Sequence, residues 1–159
     1  MTRSYASLPQ MNMGFAGSKI AIITEGCVLT ILRDDKAGIA FPGHWDLPGG
    51  AREGLENPVE CALRETREEL GLILVGDQLG WGACLGSGDD RTWFFAMQAP
   101  DDICDKIVFG DEGQRWEAMP MALFLTHEKV VPHFKRRLRQ YLNEILGQEK
   151  PPASWGGGR

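Results

Sequence analysis

Residues 50–72 constrain the fold more than any other part of the chain, because they contain the signals for both ends of one helix. Asn57 suits the N-cap, Pro58 suits the first helical position, and Glu60 stands where a capping box has an acid. Gly71 is a typical C-terminal stop. This pattern predicts a helix that begins at Pro58 and ends just before Gly71.

Three glutamates lie on one face of this predicted helix. At about 100° per residue, Glu65, Glu68 and Glu69 fall within a sector of about 100°, where like charges repel one another. A hard divalent cation removes that repulsion, and carboxylate oxygens suit Mg²⁺ or Mn²⁺. Because Mg²⁺ characteristically bridges carboxylates and substrate phosphates, the pattern favours a metal site for a phosphate-containing substrate. A merely solvated acidic face is the alternative.

The whole segment resembles the Nudix box, the signature of hydrolases that cleave a nucleoside diphosphate linked to another group. It reads G-AREGL-E-NPVECAL-RE-T-R-EE-L-G-L, and every charged and glycine position of the signature is filled. Thr66 is the one departure, since this position usually holds an aliphatic residue. The threonine methyl group can still pack in a core.

The resemblance implies a role for each matching position. It identifies Glu65, Glu68 and Glu69 as metal ligands, the Gly50 carbonyl as a backbone ligand, and Mg²⁺ or Mn²⁺ as the cofactor. It identifies Arg64 as the residue that holds the glutamates in place, one turn before Glu68. Bound metal would neutralise the diphosphate, polarise one phosphorus atom and lower the pKa of a water molecule.

Three other positions of the box have structural roles by the same resemblance. Glu56 matches an acid that pairs with the box arginine rather than with metal. Gly49 belongs to the glycine pair that precedes the helix, and Gly71 ends the helix. We therefore expect these residues to shape the site without contacting the reacting atoms.

A further acid, Glu112, lies in the segment D-E-G-Q-R-W at residues 111–116. This segment is similar to the E-G-Q segment of some MutT-type members of the family, where an acid on a late loop joins the metal site or acts as a base. An ordinary surface glutamate beside a turn glycine is the alternative. The proton of the attacking water would pass to Glu69, Glu65 or Glu112, and coupled carboxylates leave that choice open.

Four residues are candidate substrate contacts. Phe41 and Trp45 stand just before the box and can stack on a base, since every base offers a π-face. Arg33 and Arg91 can meet phosphate, although each also suits a solvated strand end. The basic residues at 135–139 are expected on the solvated face of the last helix. Most other tryptophans are expected in the core, namely Trp81, Trp93 and Trp116.

Composition limits the class of protein. The 159 residues suit one domain, and the net charge of −5 argues against binding to long nucleic acids. No run of about 18 apolar residues predicts a membrane span, and no apolar segment follows Arg3 as in a secretory signal. The four cysteines form no C-x-x-C pair, which favours reduced thiols and a cytoplasmic location. The expected partner is a small nucleotide, with a homodimer left open.

The remaining pattern resembles the α/β Nudix fold, a mixed β-sheet sandwiched between α-helices. We expect a loose lead-in at 1–17, the domain at 18–146 and a flexible tail at 147–159, the tail on composition alone. Predicted helices lie at 58–70 and 132–146. Predicted strands lie at 19–24, 27–33, 45–47, 79–85, 91–98 and 114–119.

Two absences bear on the substrate. Residues 73–95 lack the proline or tyrosine that marks family members acting on ADP-ribose or diadenosine polyphosphates. This favours a MutT-like activity, the hydrolysis of a nucleoside triphosphate to a monophosphate and pyrophosphate. The asparagine that reads oxidised guanine in MutT-type enzymes is missing before Pro132, where the chain reads E-K-V-V. Alternatives are nucleotide sugars, ADP-ribose, 5′-triphosphate RNA, or a non-catalytic nucleotide sensor.

Overall fold

A mixed sheet of seven strands lies at the centre of the structure, a computed structural model that describes residues 5–148. The strands are β1 (Gly17–Thr24), β2 (Cys27–Leu32), β3 (Trp45–Asp46), β4 (Gly49–Ala51), β5 (Trp81–Leu85), β6 (Thr92–Gln98) and β7 (Arg115–Pro120). The main path runs β3-β2-β1-β6-β5, while β4 pairs with β1 and β7 pairs with β2. Strands β1 and β6 are parallel, and the other pairings are antiparallel.

Helices cover both faces of the sheet. The first face carries α1 (Pro58–Leu70), and the second carries α2 (Met121–Thr126) and α3 (Pro132–Gln148). Because side chains alternate along a strand, Ile22 of β1 packs in the cluster that contains Ala62 of α1. Its neighbour Ile23 packs in the other cluster, with Leu138 of α3. The predicted mixed sheet between helices is confirmed.

Helix α1 has the predicted bounds, because its ends are determined locally. The Asn57 side chain accepts a hydrogen bond from the Glu60 amide at 2.8 Å, and Glu60 Oε1 accepts one from the Asn57 amide at 3.1 Å. Gly71 ends the helix with φ of +66°, in the left-handed region that favours glycine. Thr66 is fully buried, and its hydroxyl donates to the Ala62 carbonyl at 2.7 Å, so the polar atom has a partner.

The N-terminal lead-in differs from the expectation of a loose segment. Tyr5–Ser7 and Pro9–Asn12 form short 3₁₀ helices. The Tyr5 ring lies 5.3 Å from the Phe95 ring, and Phe15 is buried in the core. Apolar side chains in this segment therefore pack against the sheet and order it. At the other end, α3 continues through Gly147, and residues 149–159 of the predicted tail lie outside the described residues.

The predicted strands and the last helix agree with the structure to within about two residues at each end. Two elements have no counterpart in the sequence pattern, strand β4 and helix α2. Strand β4 is too short to show a period, and it exists because Gly49 pairs with Lys19 of β1. Among residues 5–148, no helix is both long and apolar enough to cross a membrane.

Candidate active site

One cavity of about 240 Å³ is lined by acidic side chains, and we call it the acidic cavity. Three of its residues project from one face of α1, and two belong to the loop that leads into β7. The Gly110 amide of this loop donates to the Glu69 carbonyl at 2.9 Å, which holds the loop beside the helix. The lining residues are Glu53, Glu65, Glu68, Glu69, Asp111 and Glu112. The structure therefore brings Glu112 together with the three glutamates predicted from the box.

The Arg64 guanidinium connects these carboxylates. It donates to both side-chain oxygens of Glu56, and to the Ala51 carbonyl at 2.9 Å. It also donates to Glu65 Oε1 and to Glu68 Oε2, each at 3.1 Å. Hydrogen bonds from Arg64 hold the pKa of Glu56 below its ordinary value. Arg64 thus contacts both Glu56 and two of the box glutamates, and its role in orienting them stays a prediction.

Glu69 lies deepest of the three box glutamates. Its Oε1 atom accepts a hydrogen bond from the Gly49 amide at 2.8 Å. Burial raises the pKa of Glu69 to about 7, although the Gly49 amide and the Lys19 ammonium both oppose that rise. Burial also raises the pKa of Glu65, against the influence of Arg64.

The glycine pair of β4 permits a close approach between this strand and its neighbours. Gly49 has φ of +133°, and a Cβ atom there would lie 2.1 Å from the Ser18 carbonyl oxygen. A Cβ atom at Gly50 would lie 2.7 Å from Glu65 Oε1. The Gly50 carbonyl oxygen, the predicted backbone ligand, is 3.5 Å from Cys61 Sγ on α1. Gly49 is therefore required by both space and backbone conformation, whereas at Gly50 the close approach of the Glu65 carboxylate leaves little room for a side chain.

The donor set of the acidic cavity fits a hard divalent cation. All six acidic side chains offer oxygen ligands, and Arg64 pairs with three of them, Glu53, Glu65 and Glu68. In the described part of the chain, no three His, Cys, Asp or Glu side chains converge closely enough to hold a metal ion as they stand. Two of the box glutamates, Glu65 and Glu68, instead contact Arg64, and the side chain of Glu68 is 53% exposed.

A second cavity of about 250 Å³ adjoins the first, because Glu69 and Glu112 line both. Arg33 also lines it, and its Nη1 atom donates to Asp46 Oδ2 at 2.8 Å. Asp46 is buried and additionally accepts from Lys19 Nζ at 3.1 Å. The sequence did not predict a role for Asp46, because its two partners, Lys19 and Arg33, are distant from it in the chain.

A third cavity, of about 490 Å³, lies between the sheet and α3, and we call it the sheet–α3 cavity. Its walls are mostly apolar and include Phe94 and Phe134. Gly50 lines it too, so the strand beside Glu65 also forms a wall of this cavity. Arg137 of α3 lines it as well, although the sequence pattern places the basic residues at 135–139 on a solvated face.

Comparison with known proteins decides the family. The NUDIX domain model matches residues 20–141, which is most of the chain. The chain belongs to the Nudix family. Over 61 residues it is 41% identical to the nucleoside triphosphatase NudI of Salmonella schwarzengrund, a stretch that covers 38% of this chain and 43% of that protein. The match therefore spans less than half of the length of this relative.

Solved structures share the Nudix fold of this chain. The MutT protein from Methanosarcina mazei Go1 has a TM-score of 0.63 at 19% identity, over 91% of this chain and 100% of that one. A C. elegans Ap4A hydrolase has a TM-score of 0.60 at 19% identity, over 82% of this chain and 98% of that one. At these identities the likeness establishes the fold, as expected from the box.

The two aromatic residues before the Nudix box have different positions. Phe41 is 39% exposed, and its ring lies 5.9 Å from that of His133, which lines the sheet–α3 cavity. Trp45 is only 6% exposed, and the Arg115 guanidinium lies over its ring at 5.2 Å. The prediction that Trp45 stacks on a base is therefore wrong. Its place in β3 and the contact with Arg115 bury it in the core.

Arg91 is also placed differently from the prediction of a phosphate contact. Its Nη1 atom donates to the Gly88 carbonyl at 2.9 Å and to the Gly14 carbonyl at 3.3 Å. Arg91 does not line any of the three cavities described above, so we assign it to the turn before β6. The other predicted arginine, Arg33, lines the same cavity as Glu69 of the Nudix box.

Proposed function

We propose that this chain hydrolyses a nucleoside triphosphate to a nucleoside monophosphate and pyrophosphate, with Mg²⁺ or Mn²⁺ as the cofactor. One observation carries the proposal: Gly50 lies between a cavity of carboxylates and a large apolar cavity. The first suits metal and phosphates, and the second suits a flat base. The name of the relative, nucleoside triphosphatase NudI, supports the same substrate class.

Glu65, Glu68, Glu69 and the Gly50 carbonyl would hold the metal, as the box implies. When bound, the metal supplies positive charge at the diphosphate and lowers the pKa of a water molecule. Arg64 keeps Glu65 and Glu68 oriented through its hydrogen bonds, and Glu56 in turn keeps Arg64 in place. Arg33 stands at the far side of Glu69, where a phosphate oxygen of the substrate would meet it.

Glu112 is our candidate for the proton acceptor at the attacking water. It lines both cavities that contain Glu69. Within residues 5–148 its carboxylate makes no hydrogen bond and no ion pair, whereas the three box glutamates each contact Arg64 or Gly49. An unengaged carboxylate beside the ligand glutamates is free to take a proton from water.

The four cysteines are free thiols in the structure. Reduced cysteines suit a reducing compartment, so we propose that the protein acts in the cytoplasm on small soluble nucleotides. This is consistent with the negative net charge, which disfavours long nucleic acids.

The experiment is product analysis in Mg²⁺ over nucleoside triphosphates, oxidised nucleotides, nucleotide sugars and ADP-ribose. We expect pyrophosphate and a monophosphate from triphosphates, with turnover abolished in Glu69→Gln. The matched control is Glu128→Gln, because Glu128 is exposed and lines none of the three cavities. Cleavage confined to sugars or ADP-ribose would overturn the substrate class, and nucleotide binding without any turnover would favour a sensor.

A further inference from the structure

Arg137 is a half-buried guanidinium that lines the sheet–α3 cavity and has no partner. It lies in the second turn of α3, and within residues 5–148 it makes no hydrogen bond and no ion pair. Its neighbour Arg139, in contrast, donates to the Leu125 carbonyl at 2.8 Å. A guanidinium carries five hydrogen-bond donors and no acceptor. When it is partly removed from water and has no partner, the lost hydration is not repaid and the fold is destabilised. Arg137 is thus suited to an acceptor that enters the cavity.

The rest of the cavity restricts what that acceptor is. Leu85, Phe94 and Phe134 make the walls apolar. Lys19 also lines the cavity, but its ammonium group already donates to Asp46 and to the Leu47 and Gly49 carbonyls. The acidic residue Asp90 also lines the cavity. A phosphate would meet one unengaged cation, Arg137, and the acidic Asp90 among apolar walls, whereas a neutral carbonyl on a flat ring needs only a hydrogen-bond donor.

We propose that Arg137 reads a carbonyl oxygen on the edge of the base that points away from the sugar. The cavity would then select 6-oxo purines and 4-oxo pyrimidines, such as guanine and thymine, over the corresponding amino bases, adenine and cytosine. An amino group at that position places its N–H donors against the guanidinium donors. This proposal rests on one part of the proposed function, namely that the nucleoside binds in the cavity beside Gly50.

His133 also lines the sheet–α3 cavity, and Phe41 adjoins it through His133. His133 precedes Arg137 by one helical turn, so both side chains lie on the same face of α3. The Phe41 ring contacts that of His133 at 5.9 Å. These rings offer stacking to any base, so selectivity for the oxo group belongs to Arg137 alone.

The experiment is calorimetric titration of the folded protein with dGMP, dTMP, dAMP and dCMP, without turnover. In Arg137→Ala we expect the affinity for dGMP and dTMP to fall about tenfold or more, and that for dAMP and dCMP to change less than about twofold. Arg137→Lys keeps the charge but lacks the planar fork, so it should restore binding only in part. Arg136→Ala is the matched control, since Arg136 is exposed and does not line the cavity.

The outcomes separate this proposal from that of hydrolysis. Three results would overturn base reading. They are an equal loss of affinity for all four monophosphates in Arg137→Ala, full recovery of affinity in Arg137→Lys, and no binding of any monophosphate to the parent protein. If the oxo preference holds but no triphosphate is turned over, base reading stands and the hydrolase proposal fails. Thermal melts of each variant check the fold, which should persist because Arg137 has no partner to lose.

Discussion

The Gly49 amide nitrogen lies 2.8 Å from Glu69 Oε1 and donates a hydrogen bond to it, which joins strand β4 to the last turn of α1. Burial nevertheless raises the pKa of Glu69 from 4.5 to about 7. The folded protein thus holds this proton more tightly than the unfolded chain does. The contribution of Glu69 to the stability of the fold is therefore greatest below about pH 4.5, and it is lost as the pH rises through 7.

We therefore expect the free energy of unfolding of the metal-free protein to fall between pH 4.5 and 8. At about 1.36 kcal/mol per pKa unit, Glu69 contributes up to about 3 kcal/mol of this fall. Glu69→Gln should flatten most of the slope, with a remainder from Glu65, whose pKa is raised in the same direction. Urea unfolding in a chelator from pH 5 to 8 measures this, and parallel curves for the parent and variant would contradict it.

Removal of the Arg64 guanidinium should impair both stability and turnover. Arg64→Ala leaves Glu56 and Glu65 close together without their shared cation, and we expect a loss of about 2 to 3 kcal/mol, since the arginine side chain is only 17% exposed. Arg67→Ala is the control on the same helix, because Arg67 is exposed, and it should change stability by less than about 0.5 kcal/mol. Urea midpoints and kcat measure the two effects, and equal stabilities would refute this role for Arg64.

A methyl group at Gly50 should displace Glu65. Because the added Cβ would lie 2.7 Å from Glu65 Oε1, Gly50→Ala should cost about 1 to 3 kcal/mol and reduce metal affinity. Gly80→Ala is the matched control, since a Cβ at Gly80 meets nothing within 4 Å. Calorimetric Mn²⁺ titration with chemical unfolding tests this, and unchanged metal affinity in Gly50→Ala would show that Glu65 tolerates the contact.

Glu112→Gln should separate proton transfer from metal binding. If Glu112 accepts the proton, kcat should fall by about 10²- to 10⁴-fold while Mn²⁺ affinity stays near that of the parent protein. In Glu69→Gln, both quantities should fall. Steady-state kinetics and metal titration on the two variants give the comparison, and a loss of Mn²⁺ affinity in Glu112→Gln equal to that in Glu69→Gln would make Glu112 a ligand instead.

Thr66 should behave as a buried apolar residue despite its hydroxyl. In Thr66→Val the lost hydrogen bond to the Ala62 carbonyl is offset by a methyl group in the core, so we expect stability to change by less than about 1 kcal/mol. Thr66→Ser keeps the hydroxyl but removes a buried methyl, and should cost about 1 kcal/mol. Thermal unfolding of both variants shows which one is less stable. We expect this to be Thr66→Ser, and a less stable Thr66→Val would show that the hydroxyl matters more than the methyl group.

Much of the catalytic helix could be predicted from the sequence because its determinants are local. Asn57, Glu60 and Gly71 act on backbone groups within one turn, so they determine where α1 begins and ends. The three glutamates share a face because of helical geometry alone. The mixed sheet between helices followed from the order of elements and from the family resemblance.

The surroundings of Trp45 and Arg137 could not be predicted from the sequence, since they depend on residues far away in the chain. Trp45 is buried through its pairing with β2 and its contact with Arg115. Arg91 is held by backbone carbonyls, which no side-chain pattern reveals.

The sequence by itself determined the helix, its carboxylates and the glycines beside them, because bonding within a few residues and steric exclusion act locally. Only the tertiary structure decided that Arg137 lines a cavity with no partner among residues 5–148, and that the Phe41 ring contacts His133 of the same cavity. Burial and pairing arise when distant strands and helices meet. The environment of Arg137, for example, is formed by β6, by the turn that precedes β6 and by α3.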